Sequence, residues 1–186
     1  MKLIILDRDG VINQDSDDYI KSPEEWIPIP GSLEAIARLN HADYHVVVAT
    51  NQSGIGRGYY DLETLNQIHQ KMHKRLTEVG GVIEAVFFCP HTPDDHCHCR
   101  KPAIGMFQAI AERMRCSLKN VPFIGDTLTD VTTARVAALS PILVRTGKGE
   151  RTLEKSSSAT ADVPVFDNLE SYVTDLLAPE SNKKDY

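Results

Sequence analysis

KLIILDRDG, residues 2–10, decides the fold. Leu3, Ile4, Ile5 and Leu6 form a short unbroken apolar run, stopped at once by Asp7, Arg8, Asp9 and Gly10. A run of that length, bounded by charge and glycine, reads as a buried strand. An apolar strand with no polar alternation is covered on both faces, as in parallel sheets. Similar runs recur at 45–50 (HVVVAT), 82–89 (VIEAVFFC), 121–125, 142–145 and 163–166. Between them lie stretches with helical spacing. Leu33, Ile36, Ala37 and Leu39 mark one helix, with Ser32 expected as its cap. Leu65, Ile68, Met72 and Leu76 mark another over 62–79, and further helices are expected at 104–114, 130–138 and 169–177. Alternation of this kind predicts an α/β fold: an open parallel sheet with helices on both faces, three layers in all.

Ligands of such sheets bind beyond the carboxyl ends of the strands. The residues there are the informative ones. Asp7 and Asp9 follow the first strand, Thr50, Asn51, Gln52 and Ser53 the second, Cys89 and His91 the third, and Gly125 and Asp126 the fourth. If strand geometry continues past Leu6, the side chains of Asp7 and Asp9 point the same way. Two close carboxylates repel and need a cation or a shared proton. A hard divalent ion such as Mg²⁺ meets that need. One carboxylate can then act as a nucleophile and the other as a proton donor and acceptor. Backbone N–H groups around 51–54 can form an anion nest.

The chain has 186 residues, 20 Lys plus Arg against 26 Asp plus Glu, and a net charge of −6. One domain is expected, over residues 1–178, with a flexible tail at 179–186. With 41% hydrophobic residues the chain can bury a core. The acidic balance argues against a general nucleic-acid binder, which needs a basic face. It leaves room for a basic pocket and a small anionic substrate. The apolar start ends at Asp7, too early for a secretion signal, and no stretch is long enough to span a membrane. A cytoplasmic protein is expected, and a monomer. Residues 147–161, rich in Ser, Thr, Gly and Lys, read as a mobile segment.

Three of the four cysteines fall within eleven residues, as C-x-H-x₅-C-x-C. Cys89, His91, Cys97 and Cys99 offer four N/S ligands, the set that suits a tetrahedral Zn²⁺ with no open position. In a reducing compartment such spacing favours a structural zinc that folds the loop. His96 and His98 are competing ligands, a Cys97–Cys99 disulfide is the alternative reading, and Cys116 stands apart as a lone thiol.

DRDGVIN at 7–13, ATNQSGIGRG at 49–58, CRKP at 99–102 and GDTLTD at 125–130 together resemble the four ordered motifs of the haloacid dehalogenase (HAD) superfamily of phosphotransferases. The resemblance implies a HAD-like Rossmannoid sheet. It implies Asp7 as nucleophile, Asp9 as general acid and base, and Thr50 as the hydroxyl that binds the transferring phosphoryl group. Lys101 becomes the neutralising cation, and Asp7, Asp9 and Asp126 the Mg²⁺ set. Asp130 is open between metal support and a helix face. The spacings before Thr50 and before Lys101 leave no room for a cap domain. The expected lid is local, made by 14–29 and the zinc loop. With CPH and CxCRKP added, the chain is most similar to HAD phosphatases of heptose bisphosphates and, almost as much, to the histidinol-phosphatases of histidine biosynthesis. The first likeness implies removal of the C7 phosphate of a heptose 1,7-bisphosphate in lipopolysaccharide-core precursor synthesis, with Asp15, Tyr19, Asn51, Gln52, Ser53 and Arg100 binding substrate. Arg100 would take the second phosphate by a two-pronged hydrogen bond. Some relatives carry Lys where this chain has Thr127. Other readings are another small-molecule phosphomonoesterase, a polynucleotide phosphatase, which the charge disfavours, and a zinc-stabilised binding module without catalysis, which the intact motif set disfavours.

Overall fold

The computed structural model describes residues 1–179. The expected tail lies almost wholly outside the described residues. In chain order the elements are β1 (Lys2–Leu6), α1 (Ser32–His41), β2 (Tyr44–Asn51), α2 (Ser53–Gly56), α3 (Leu62–Glu78), β3 (Ala85–Cys89), α4 (Gly105–Met114), β4 (Pro122–Gly125), α5 (Leu128–Val136), β5 (Ser140–Val144), α6 (Gly149–Lys155), α7 (Ser157–Thr160), β6 (Val165–Phe166) and α8 (Leu169–Leu176). All six strands are parallel, in the order β3-β2-β1-β4-β5-β6. This is the open parallel sheet that the sequence predicts, with helices between its strands.

Side chains alternate across each strand, so β1 serves two cores. Ile4 and Leu6 join Val46, Val48 and the apolar stripes of α1, α3 and α8 on one side. Leu3 and Ile5 join Val47, Ala49, Phe123 and the Met106, Phe107 and Ile110 stripe of α4 on the other. Burial on both faces explains why these strands read as continuous apolar runs. The α3 stripe is buried as its spacing predicts, and Asp61 caps the helix by accepting from the Thr64 N–H.

Three local expectations are corrected. Ser32 is not a cap: Gly31 holds that position in a left-handed conformation, and the Ser32 hydroxyl donates instead to the Ile12 carbonyl at 2.6 Å. Residues 147–161, expected to be mobile, form α6 and α7. Their polar sequence hides two anchors, the Thr152 hydroxyl on the Asp126 carbonyl and Arg135 on the Ala159 carbonyl. The strand expected from Val82 begins only at Ala85; the chain leaves α3 through a turn at Gly80, and residues 81–84 are irregular.

Candidate active site

The strand ends converge on a cleft of about 310 Å³. Asp7 leaves β1 and Asp126 leaves β4, its neighbour in the sheet. Asp130 comes from the first turn of α5, where it forms a reciprocal cap with Thr127. One carboxylate oxygen from each of the three lies within 4.8 Å of the others. Lys101 reaches into this group, its Nζ 2.8 Å from Asp7 Oδ2 and 2.7 Å from Asp130 Oδ1. Asn51 holds the Lys101 main chain from both sides, donating to its carbonyl and accepting from its N–H. Asp130, open in the sequence reading, is buried and belongs to the site.

The charge balance of this group is unfavourable as it stands. Burial pushes Asp7 up to about 6, with Lys101 opposing and Asp130 and Asp9 adding to the rise. Asp126 is raised well above the ordinary carboxylate range by burial and by the charges of Asp130 and Asp7. Lys101 is raised too, because Asp130 and Asp7 outweigh its burial. One ammonium cannot balance three carboxylates. A hard divalent cation with oxygen ligands fits this donor set.

The second aspartate departs from expectation. β1 ends at Leu6, and the chain then winds around the Arg8 carbonyl, which accepts from the N–H groups of Val11, Ile12 and Asn13. Gly10 makes the turn at φ +80°, where a Cβ would strike the Asp126 carboxylate. The side chains of Asp7 and Asp9 therefore do not share one destination. Asp9 accepts from Arg8 Nε at 3.0 Å, Asn13 Nδ2 at 2.8 Å and Gln52 Nε2 at 2.9 Å. Burial alone would raise its pKa, but Arg8, Asn13 and Gln52 together bring it below the usual value. Its carboxylate lies apart from the group formed by the Asp7, Asp126 and Asp130 carboxylates, so of the expected Asp7, Asp9 and Asp126 set the side chains of Asp7 and Asp126 stand together, with Asp130 beside them.

Arg8 itself is fully buried. Its Nη1 lies 3.2 Å from His69 Nε2, and its Nη2 donates to Gln52 Oε1 at 3.0 Å. Burial and the Arg8 charge hold His69 neutral, down at about 3. Gln52 Oε1 also accepts from the Tyr60 hydroxyl, and its Nε2 donates to Thr50 Oγ1 at 2.9 Å. Gln52 touches the cleft, but its amide is engaged with protein on both ends. Thr50 accepts from Gln52, which leaves the Thr50 O–H to point at a ligand. The expected nest is reduced as well, since the Gln52 N–H is taken by the Cys89 carbonyl.

Asp15, Tyr19, Ser53 and Arg100 all line the cleft. Tyr19 has φ 66° and packs its ring against Tyr59. Arg100 lines it from just past the last cysteine, while none of Cys89, His91, Cys97 or Cys99 does. The lid reading is thereby narrowed: the sulfur loop positions Arg100 and Lys101 rather than covering the site. Sequence reasoning missed Thr129 and Lys148, which also line the cleft. The missed signal was GKG at 147–149, glycine-flanked and just past a strand end like the other motifs.

Cys89, His91, Cys97 and Cys99 converge as the spacing predicts, and the three cysteines are free thiols. Four of the Sγ–Sγ and Sγ–Nδ1 separations are 3.3, 3.3, 3.5 and 3.6 Å. A tetrahedron with Zn–S bonds of 2.3 Å has edges of roughly 3.8 Å, so the set is close to zinc dimensions and far too wide for a disulfide. His96 and His98 are not in the cluster. The His98 carbonyl is instead bonded by the Gly105 N–H at the start of α4.

A parallel sheet with an aspartate at the end of its first strand, a lysine on that aspartate, a second acid just past the neighbouring strand and a third on the helix that follows defines a class: the HAD-type phosphohydrolases. The HAD-hydrolase-like family model matches residues 98–172. The D-glycero-beta-D-manno-heptose-1,7-bisphosphate 7-phosphatase of Bordetella bronchiseptica is 60% identical over 153 residues, 82% of this chain and 86% of that protein. The Pseudomonas putida protein of the same name is 52% identical over 177 residues, 95% of this chain and all of that one. The crystal structure of the B. bronchiseptica D,D-heptose 1,7-bisphosphate phosphatase with magnesium and phosphate superposes with a TM-score of 0.92 at 54% identity, covering 95% of this chain and 98% of that one. The chain belongs to the family of D-glycero-beta-D-manno-heptose-1,7-bisphosphate 7-phosphatases.

Proposed function

We propose that this protein removes the C7 phosphate of D-glycero-D-manno-heptose 1,7-bisphosphate, on the way to the nucleotide-activated heptose of lipopolysaccharide cores. The observation that carries the reading is the Asp7–Lys101 pair at 2.8 Å, inside a group of three carboxylates at the strand ends. Asp7 and Lys101 together place an ionised oxygen where a phosphoryl group can be attacked.

In this reading an Asp7 carboxylate oxygen bonds to phosphorus and the C7–O–P ester bond breaks at phosphorus. The leaving sugar oxygen takes a proton from Asp9. Water then attacks the aspartyl-phosphate, Asp9 takes the proton of that water, and Asp7 and inorganic phosphate are released. Arg8 favours the ionised Asp9 needed in the second half. An arriving phosphoryl dianion raises Asp9 toward the protonated form needed in the first. Thr50 donates to a phosphoryl oxygen, and Asn51 keeps Lys101 in place. Asp7, Asp126 and Asp130 would hold Mg²⁺, which supplies charge neutralisation for the phosphoryl group when bound. Cys89, His91, Cys97 and Cys99 would hold a structural Zn²⁺.

The choice of a bisphosphate over histidinol phosphate rests on Arg100. Among the described residues its guanidinium has no carboxylate partner, only the His91 carbonyl at 3.3 Å, and it faces the cleft. A second phosphate suits it; the cationic end of histidinol phosphate does not. Initial rates on both substrates with Mg²⁺ test this. The bisphosphate should be favoured by about 100-fold in kcat/KM, as expected when one substrate leaves a charged group unmatched. Preference for histidinol phosphate would overturn it.

A further inference from the structure

Several of the charges around the cleft are paired. Lys101 serves Asp7 and Asp130, and Arg8 serves Asp9. Asp17 is bound by Arg151 through two contacts, at 3.1 and 3.2 Å. Asp15 is served by Lys148, whose Nζ lies 2.7 Å from Asp15 Oδ2 and 3.9 Å from an Asp17 oxygen. Of the paired lysines that line the cleft, Lys148 is the accessible one. Its side chain is 36% exposed and lines the cleft, whereas that of Lys101 is 2% exposed.

The backbone that carries Lys148 is fixed. Its N–H donates to Asp126 Oδ2 at 2.7 Å, and the Thr146 hydroxyl donates to the Gly10 carbonyl at 2.6 Å. Gly147 sits at φ +59° against Gly10, where any Cβ would meet the Gly10 backbone and the Asp126 carboxylate. The ammonium thus hangs on a flexible stem from a rigid point beside the metal-ready acids. It has three protons. Asp15 takes one at close range, and the others remain for the cleft.

Without Lys148, Asp15 would be a bare carboxylate facing a substrate with two phosphates. With it, the pair becomes a held cation. We propose that Lys148 is a specificity-determining residue whose ammonium, oriented by Asp15, takes the non-reacting phosphate of the substrate together with Arg100. The proposal rests on the bisphosphate reading above and goes beyond it in naming the second cation. Asp15 then acts on the substrate chiefly through Lys148, which ties the 14–19 loop to the 146–149 loop.

The test uses the full-length protein with its metals. Steady-state rates are measured for wild type, Lys148→Met, Lys148→Arg and Lys148→Met with Asp15→Asn, on heptose 1,7-bisphosphate and on heptose 7-phosphate. Losing one charge-assisted contact should raise KM for the bisphosphate roughly 10- to 100-fold in Lys148→Met, and far less for the monophosphate. Lys148→Arg should recover most of that loss, and the double variant should not. An equal loss on both substrates would make Lys148 merely structural and overturn the proposal. Recovery in the double variant would do so too, by showing that Lys148 only neutralises Asp15. If wild type shows no preference for the bisphosphate, the substrate reading itself falls. If it does and Lys148→Met keeps the preference, only the role of Lys148 falls.

Discussion

Two centres in this protein gather ligand atoms, and they are built in opposite ways. The carboxylate centre stands on the sheet. Asp7 and Asp126 leave adjacent strands, Asp130 is locked by a reciprocal cap, and Lys101 and the Lys148 N–H hold the acids in place. Behind it lies buried wiring, Arg8, His69, Gln52 and Tyr60. The sulfur centre hangs on a loop. Only Cys89 is on a strand and fully buried; His91 is exposed, and Cys97 and Cys99 are half-buried. The one regular turn between them, Pro93–Asp95, buries nothing. The first centre is held by the sheet and by its own hydrogen bonds. The second has little packing of its own to hold its ligands together.

The sharpest way to break this contrast is Asp7→Asn. Activity should fall by about 10⁴-fold or more, the scale seen when a member of a catalytic unit is removed. The melting temperature should stay within roughly 2 °C, because Lys101 keeps Asp130 and one repelling charge is gone. Residual turnover near wild type would refute Asp7 as nucleophile. A large loss of stability would refute a self-supporting centre.

Cys97→Ser attacks the other side. Zinc by elemental analysis should fall from about one per chain to near zero, and the melting temperature should drop by roughly 5–10 °C, the equivalent of ~2–3 kcal/mol at this size. Activity should fall less than in Asp7→Asn, since only the placement of Arg100 and Lys101 is loosened. Unchanged zinc content would sink the ligand assignment.

How far these centres were legible differs for physical reasons. Cys89, His91, Cys97 and Cys99 are close in sequence, and their spacing alone predicts the cluster. Asp7, Thr50 and Asp126 were legible because a buried parallel strand announces its own end. The direction of the Asp9 side chain was not legible, because Gly10 and the Arg8 carbonyl turn the chain at once where a continuing strand is expected. Arg8 was invisible as a buried cation because its partners, His69 and Gln52, lie 61 and 44 residues away. Lys148 was missed because a polar segment looks mobile until its long-range anchors on Gly10 and Asp126 are seen.

The smallest effect sharpens the wiring. His69 has its pKa depressed to about 3 in the fold, against 6.5 unfolded. The unfolded chain therefore binds a proton that the native state refuses between those values, and stability falls as pH drops below 6.5. By pH 5 the loss attributable to His69 is about 2 kcal/mol. In His69→Gln, which keeps an acceptor for Arg8, urea unfolding at pH 8 and pH 5 should show a pH difference smaller by that amount. An identical difference in both proteins would remove His69 from the account.

The strand order carries one more consequence, for how the molecule is made. β1 lies between β2 and β4, so Asp7 is made first and its acidic neighbour Asp126 comes 126 − 7 = 119 residues later. A ribosome that has emitted β1, β2 and β3 has already made Asp7, Asp9 and Thr50, yet the group of three carboxylates does not exist. Only with β4 beside β1 do the two halves share a wall. The cleft is thus gated by assembly: a partly made or partly opened chain carries Asp7 without Asp126 and Asp130 beside it.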